Sequence, residues 1–489
     1  MIRPVHPVKD PFRAAIITRS SWQAFVGLAL AGVVFLGLLA LLGHRGYDDP
    51  YITFRYAQNL LAGRGFVYNA GQRILSTTAP LYAFVLAGLG SIWEDLPAVA
   101  NILGLASLML GAVFLGALTW QQAGRASGLM AALLLSLSPD LLSTLGSESC
   151  MVIMLILGGF LAYSRSRHML AAALLALAVL VRPDAVLAFV AVGICHLVRR
   201  ESIPWRAVWL WVGIVGVWYA ALWLYFGSPL PVTLQAKQQQ GRMDISEPFA
   251  LGLVNLVRNR LRQPIYWLAG LLGLAGLGRV VTHRRVWMPL LVWTALYVVA
   301  YSLLGVSRYF WYFAPLAPAF AVLVAEGAEG LLTLAAAKLP DRWVQGGTGL
   351  LVVALMAPLV QSTVSAGWNT DPRPEVYEQV GRWLKTQTEP ESTVGALEIG
   401  IIGYYAERTM VDFAGLLQPD ISQQLTKTGT YQDSTAWAIQ HYTPDYVVLY
   451  ATGFSQIRDS EWFQSRYGLV QRFNDARGLH MELFVQGGH

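Results

Sequence analysis

Residues 44–69 read His44-Arg-Gly-Tyr-Asp-Asp-Pro-Tyr-Ile-Thr-Phe-Arg-Tyr-Ala-Gln-Asn-Leu-Leu-Ala-Gly-Arg-Gly-Phe-Val-Tyr-Asn69, directly after an uncharged apolar run over 22–43. At about 22 residues the run is long enough to cross a hydrocarbon core of about 30 Å as a helix. It is too long for the h-region of a cleaved leader, and no small-residue cleavage pattern follows, so it reads as a retained first span. Arg3, Lys9, Arg13 and Arg19 precede it. Positive charge stays on the cytoplasmic side, which predicts a cytoplasmic N-terminus at 1–21 and puts the segment from His44 on the far side.

The rest of the chain agrees with a membrane setting. Of 489 residues 55% are hydrophobic and only 13% charged, against about 25% charged in ordinary soluble domains. That charge is too little to cover a soluble chain of this length. A soluble enzyme, a disordered chain and a nucleic-acid binder are thereby excluded, and the net charge of +6 is loop charge. Cys150 and Cys195 both fall in apolar runs and match no disulfide framework or metal spacing.

Further apolar runs lie near 79–93, 98–119, 127–143, 149–164, 169–181, 185–198, 205–226, 264–281, 286–305, 311–330 and 347–364. Four basic loops orient them: Arg165, Arg167 and His168; Arg199 and Arg200; Arg279, His283, Arg284 and Arg285; Lys338 and Arg342. The run 79–93 is the shortest and ends in Glu94 and Asp95, so it is expected to be re-entrant or interfacial; the alternative, a tilted crossing, stays open. The expectation is a polytopic α-helical membrane protein of about eleven transmembrane helices over 22–364, with outer loops at 44–78 and 227–263. Residues 365–489 regain charge. An amphipathic helix over 375–387 and short strands over 393–397, 446–450 and 481–485 predict a small extracytoplasmic α/β domain. There is no repeat and no Walker-type phosphate loop.

Within the first outer loop, Pro50 suits the first position of a helix and Asp49 its N-cap. Tyr51 to Ala62 would then lie along the membrane surface with aromatics at the interface. Two readings of the acids stand side by side. Both cap the helix and stay solvated, or Asp48 points into a cavity as a general base on an acceptor hydroxyl. Two adjacent carboxylates could also hold a divalent cation such as Mg2+ or Mn2+.

The stretches Tyr47-Asp-Asp-Pro-Tyr-Ile-Thr-Phe-Arg-Tyr-Ala-Gln-Asn-Leu60, Gly63-Arg-Gly-Phe-Val-Tyr-Asn69 and Ser76-Thr-Thr-Ala-Pro-Leu-Tyr82 resemble the GT-C superfamily of membrane glycosyltransferases. The nearest resemblance is to the branch containing actinobacterial cell-wall arabinofuranosyltransferases. Aminoarabinose transferases and protein O-mannosyltransferases are similar at greater distance. The resemblance implies a polyprenyl-phosphate sugar donor, a reaction on the outer face of the plasma membrane, and a catalytic aspartate in the first outer loop beside a second acid. Asp48 matches the first and Asp49 the second.

Three later stretches fit the same resemblance. In Gly146-Ser-Glu-Ser, Glu148 would assist a metal or the donor, with Asp49 as its partner ligand; otherwise it is a helix N-terminal acid favoured by the dipole. Arg182-Pro-Asp184 either serves the donor or is a turn in which Asp184 pairs with Arg182. In Ser307-Arg-Tyr-Phe-Trp-Tyr312, Arg308 and Tyr309 suit a lipid-linked phosphate, because guanidinium binds phosphate bidentately; the bland reading is an interfacial anchor. Lys237 belongs to the long loop 227–263, which would close over donor or acceptor or be a mere linker. Asp412-Phe-Ala-Gly-Leu carries the resemblance without assignable chemistry.

The expected function is an inverting transfer of a sugar from polyprenyl phosphate to a glycan, lipid or protein hydroxyl of the cell envelope. Asp48 is the base, and Arg308, Arg182, Tyr309 and Lys237 are the phosphate-side groups. The alternative is a transporter or flippase of a lipid-linked sugar, which would need charges at span centres and often repeated halves.

Overall fold

The computed structural model describes residues 32, 34–42, 46–283, 287–368, 371–425, 430–474, 478 and 480–487. The basic N-terminal flank, the first part of the 22–43 run, and Arg284 and Arg285 lie outside the described residues, as do His44 and Arg45. Residues 34–42 are helical.

The chain is a helical membrane protein. Among the described residues, Leu96–Gln121, Trp205–Phe226, Phe310–Ala336 and the helix Asp341–Trp368 are long and apolar enough to cross a bilayer. Shorter apolar helices pack around them, including Ser149–Ser164, His168–Val181 and Met288–Leu304. In lipid, association relies on close packing rather than on the hydrophobic effect, so small residues mark the tightest contacts. A Cβ at Gly276 would stand 1.9 Å from the Leu323 carbonyl oxygen, and one at Gly327 1.9 Å from that of Leu272. Helices Pro264–His283 and Ala317–Ala336 therefore touch backbone to backbone.

Pro80–Gly90, the helix inside run 79–93, has 11 residues. At 1.5 Å per residue it measures about 16 Å, roughly half a hydrocarbon core. The long loop 227–263 is not structureless: it holds helices Thr233–Gly241 and Phe249–Arg260.

The C-terminal unit is a five-stranded sheet of order β2-β1-β3-β5-β4, with β1 Thr393–Ala396, β2 Thr409–Asp412, β3 Tyr446–Tyr450, β4 Tyr467–Asn474 and β5 His480–Gln486. β1 runs parallel to β2 and β3, whereas β5 is antiparallel to β3 and β4. Helices Arg373–Gln387 and Ile399–Ala406 cover one face, burying Val376, Val380, Leu384 and Ile402. The helix over 375–387 and strands β1, β3 and β5 meet the sequence expectation; β2 and β4 were not read from it.

Asp412 explains the Asp-Phe-Ala-Gly-Leu stretch. It ends β2, is fully buried, and its carboxylate accepts from the amide N–H groups of Ala414 at 2.9 Å, Leu416, and Leu417 at 3.2 Å. Asp412→Ala would strand buried donors, at a cost of about 1–3 kcal/mol each. The expected result is a clear fall in the thermal unfolding midpoint; an unchanged midpoint would contradict this role.

The stretch Gly63–Asn69 docks the C-terminal unit. The Tyr68 hydroxyl donates to the Ile399 carbonyl at 2.5 Å. Asn69 and Met410 exchange two hydrogen bonds of 2.9 Å, side-chain amide to backbone in both directions.

Candidate active site

Helix Asp48–Leu61 begins two residues earlier than Pro50 would suggest. Its N-cap is Tyr47, and Asp48 and Asp49 both sit in the first turn, where the helix dipole favours acids. Successive residues on a helix point about 100° apart, so the two carboxylates face different surroundings.

Asp48 faces the C-terminal unit. The N–H groups of Gly400 and Ile401 donate to its Oδ2 and Oδ1 at 2.8 Å each. These are orphan donors of helix Ile399–Ala406, so Asp48 closes a helix N-terminus from across the chain. Burial, and Glu398 nearby, push its carboxyl well above the usual range, while the two amides pull it back. The Tyr450 hydroxyl holds Glu398 at 2.7 Å.

Asp49 faces a cavity of about 270 Å³ that opens where this helix meets the membrane-embedded part. Asp49, Glu148, Asp184, Arg182 and Lys237 all line it, with Ser76, Thr77, Thr78, Thr233, Tyr301 and Tyr312. Asp48 is not on its wall. Of the two acids, Asp49 and not Asp48 is the one that faces this cavity.

Two ion clusters shape the cavity. Lys237 Nζ lies 3.2 Å from Asp49 Oδ2 and 4.0 Å from the Tyr309 ring centre. Burial opposes the ammonium, but Asp49 and the surrounding tyrosines hold its pKa well above the ordinary value. Opposite, Arg182 forks onto Asp184 through Nε at 2.9 Å and Nη2 at 2.6 Å, and reaches Glu148 at 3.8 Å. The Tyr301 hydroxyl adds a bond to Asp184 at 2.7 Å. Burial alone would raise Asp184, yet Arg182 and Tyr301 keep it below the usual carboxylate range. Glu148 is raised chiefly by burial, offset in part by Arg182. Arg182-Pro-Asp184 is the ion-paired turn of the second reading, and that turn lines the cavity.

Arg182→Lys would keep the charge but not the planar two-point grip on Asp184. We expect thermal stability to fall by about 1–3 kcal/mol. A variant as stable as the parent would show that the fork is not needed.

Arg308 is a correction. It is half exposed, lies outside the cavity, and pairs through its guanidinium with Glu247, while its own N–H donates to the Glu247 carbonyl at 2.7 Å. The short bridge between Pro248 and Ser307 holds this arrangement. Tyr309 serves from beneath: it stacks on Trp311 with centres 4.6 Å apart, donates to Gln240 at 2.7 Å, and floors Lys237.

Sequence reasoning missed two hydroxyls. Thr233 Oγ1 is buried without a hydrogen-bond partner, and the Ser76 hydroxyl bonds Tyr56; both residues line the cavity. A buried unpaired hydroxyl is costly. The Ser76-Thr-Thr run was the available signal.

Among the described residues no group of three or more His, Cys, Asp or Glu is arranged to hold a metal ion. Asp49 and Glu148 share the cavity, but each is directed at a side-chain cation, Lys237 and Arg182. This donor set does not fit a divalent cation as arranged.

With this geometry in hand, comparison with solved structures places the architecture. The apo ArnT structure from Cupriavidus metallidurans matches with a TM-score of 0.63 at 14% identity, covering 95% of this chain and 98% of that one. The chain has the GT-C fold. ArnT bound to undecaprenyl phosphate matches this chain with a TM-score of 0.61 at 15% identity, with the same coverage of 95% and 98%. The apo oligosaccharyltransferase of Archaeoglobus fulgidus matches with a TM-score of 0.59 at 15% identity over 93% of this chain and 74% of that one. A family model described as "Domain of unknown function (DUF8728)" matches residues 368–485, the C-terminal unit of the chain. No curated protein matches the sequence.

Proposed function

We propose that the protein is an inverting glycosyltransferase that moves a sugar from a polyprenyl-phosphate donor to an acceptor hydroxyl at the outer face of the plasma membrane. The observation that carries this reading is the single cavity where Asp49, Glu148 and Asp184 meet Lys237 and Arg182. The bound undecaprenyl phosphate of the ArnT neighbour supports the donor class.

Asp49 is the base. It takes the proton of the acceptor hydroxyl as that oxygen bonds to the anomeric carbon. On the opposite side the bond from that carbon to the phosphate oxygen breaks, and the phosphate leaves with the electron pair. Arg182 faces the same space and stabilises the departing charge, while Lys237, 3.2 Å from Asp49, stays with the base and orients it. Thr233 offers a hydroxyl to the sugar. Catalysis then rests on positioning and on electrostatics fixed in advance. Asp48 acts through Asp49: by gripping helix Ile399–Ala406 it fixes the start of the helix that carries the base.

The orientation follows from charge. The basic loops at 165–168 and 199–200 lie at the ends of the helices remote from the cavity. Positive charge on the cytoplasmic side then puts the cavity and the C-terminal unit outside. About eleven crossings, an inside N-terminus and an outside C-terminus fit this arrangement. The acceptor class is a glycan, lipid or protein of the cell envelope.

The test is incubation of the purified chain, in bilayer discs, with synthetic polyprenyl-phosphate sugars, with and without a chelator. Release of polyprenyl phosphate with inversion at the transferred sugar supports the reading. Passage of the intact lipid-linked sugar between leaflets without release would replace it with a flippase.

A further inference from the structure

The helices that frame the cavity have a second set of ends. Ser149–Ser164 starts beside Glu148 and has 16 residues, so its far end is about 24 Å away. His168–Val181 returns to Arg182, Val186–Val198 leaves again, and Trp205–Phe226 comes back. At the remote end these helices enclose a slot of about 170 Å³.

The slot is apolar in effect. Phe189, Gly193, Ile203 and Pro204 line it, with Tyr163 and His196. The polar atoms of the last two are turned on one another and on the chain. His196 lies 3.2 Å from Glu201 through Nδ1 and 2.8 Å from the Ser202 carbonyl through Nε2, and the Tyr163 hydroxyl is 3.4 Å from Nδ1. His168 lines it too, its ring edge-on to those of Tyr163 and His196 with centres 5.8 and 6.0 Å away. A Cβ at Gly193 would have nothing within 4 Å.

Its mouth is different. Arg165, Arg167, Arg199 and Arg200 stand on the two turns that close the slot and Arg206 at the start of helix Trp205–Phe226, with Glu201 as the sole carboxylate among them. Glu201 is engaged by His196. Arg199 lies over the Tyr163 ring, 5.7 Å from its centre, which brings the basic turn onto the slot wall. Each turn also holds a non-glycine residue in the left-handed region: Ser166 at φ 57° and Arg200 at φ 54°. Such conformations are costly and persist where surroundings impose them. Leu197, Val198 and Trp205 beside the mouth are exposed, as a lipid-facing rim requires.

We propose that this slot takes one acyl chain of an anionic phospholipid of the adjacent leaflet, with the arginine turns holding its phosphate. An apolar recess under a mouth of arginines is complementary to that one class of molecule. The site is separate from the catalytic cavity and stands whatever that cavity does.

The experiment uses the full chain in bilayer discs of phosphatidylcholine with one-fifth phosphatidylglycerol, followed by native mass spectrometry of the retained lipid. Wild type is expected to keep about one phosphatidylglycerol in preference to phosphatidylcholine. Gly193→Leu fills the slot from inside and should lower retention of both lipids. The double variant Arg200→Gln, Arg206→Gln changes exposed side chains only; it should lower the preference for phosphatidylglycerol by roughly tenfold. Equal retention of both lipids by wild type would overturn the proposal. So would unchanged phosphatidylglycerol in either variant: in Gly193→Leu because the slot is then not the seat, in the double variant because the headgroup is then not held there.

Discussion

Asp49→Asn is expected to lower turnover by about 10²–10⁴-fold, the usual contribution of a positioned base, with the thermal unfolding midpoint little changed. Asparagine keeps the size and the acceptor oxygen that faces Lys237, so the cavity keeps its shape while losing the proton acceptor. The donor KM should move far less than kcat, because the lost interaction belongs to the transition state. Asp48→Asn tests the neighbour differently. Its amide would turn a donor toward one of the two N–H groups of helix Ile399–Ala406, so stability should fall by about 1–3 kcal/mol. If Asp48→Asn abolishes turnover in a fully stable protein while Asp49→Asn retains it, the two roles are reversed.

The second large effect concerns the same junction from the other side. A Cβ at Gly400 would stand 1.9 Å from the Asp48 carbonyl oxygen and 2.6 Å from its Oδ2. Both obstacles belong to a buried helix start, so neither can swing away as a flexible side-chain tip would. Gly400→Ala must push helix Ile399–Ala406 off Asp48, and overpacking of this kind costs about 1–3 kcal/mol. The lost amide-to-carboxylate bonds add to it, since charge-assisted bonds are the stronger ones. We expect Gly400→Ala to lower the unfolding midpoint by more than Asp48→Asn does, and to lower turnover through the misplaced start of helix Asp48–Leu61. Gly403 offers a parallel case, with a Cβ 1.9 Å from the Tyr68 hydroxyl. A Gly400→Ala protein with wild-type stability and turnover would mean that the C-terminal unit does not position the site.

What was legible in the sequence follows from the physics of each signal. Long apolar runs are read directly because the bilayer fixes the length of a span. Basic loops are read because charge orients them. The helix at Arg373–Gln387 and strand β3 were visible from periodicity. Strand β2, Thr409–Asp412, was not: four residues between a helix and a capped turn carry no alternation. Nor was β4, whose stretch Tyr-Gly-Leu-Val-Gln-Arg-Phe-Asn is mostly exposed on an outer strand and lacks a clear apolar face.

Of the residues that line the cavity, Asp49, Glu148 and Arg182 were singled out through the family resemblance of their stretches, and Lys237 as a cation of the long loop 227–263. The division of labour within Asp48-Asp49 was not legible, because it depends on a helix landing some 350 positions later in the chain. Reading Pro50 as the first helical residue put Asp49 in the cap; the helix starts at Asp48 instead, and Pro50 is tolerated within the first turn. Arg308 sat in a persuasive aromatic setting, but its partner Glu247 lies in the long loop, and nothing local announces that pairing. Thr233 became a candidate only once its hydroxyl was seen to be buried and unpaired on the cavity wall.

The most direct measurement is a structure of the chain in a bilayer disc with a non-transferable donor analogue, a polyprenyl phosphonate sugar. The account predicts the phosphonate at Arg182, the sugar against Thr233, and Asp49, with Lys237 beside it, on the face of the anomeric carbon opposite the phosphonate. An analogue seated elsewhere, or one bound here with its sugar turned away from Asp49, would contradict it.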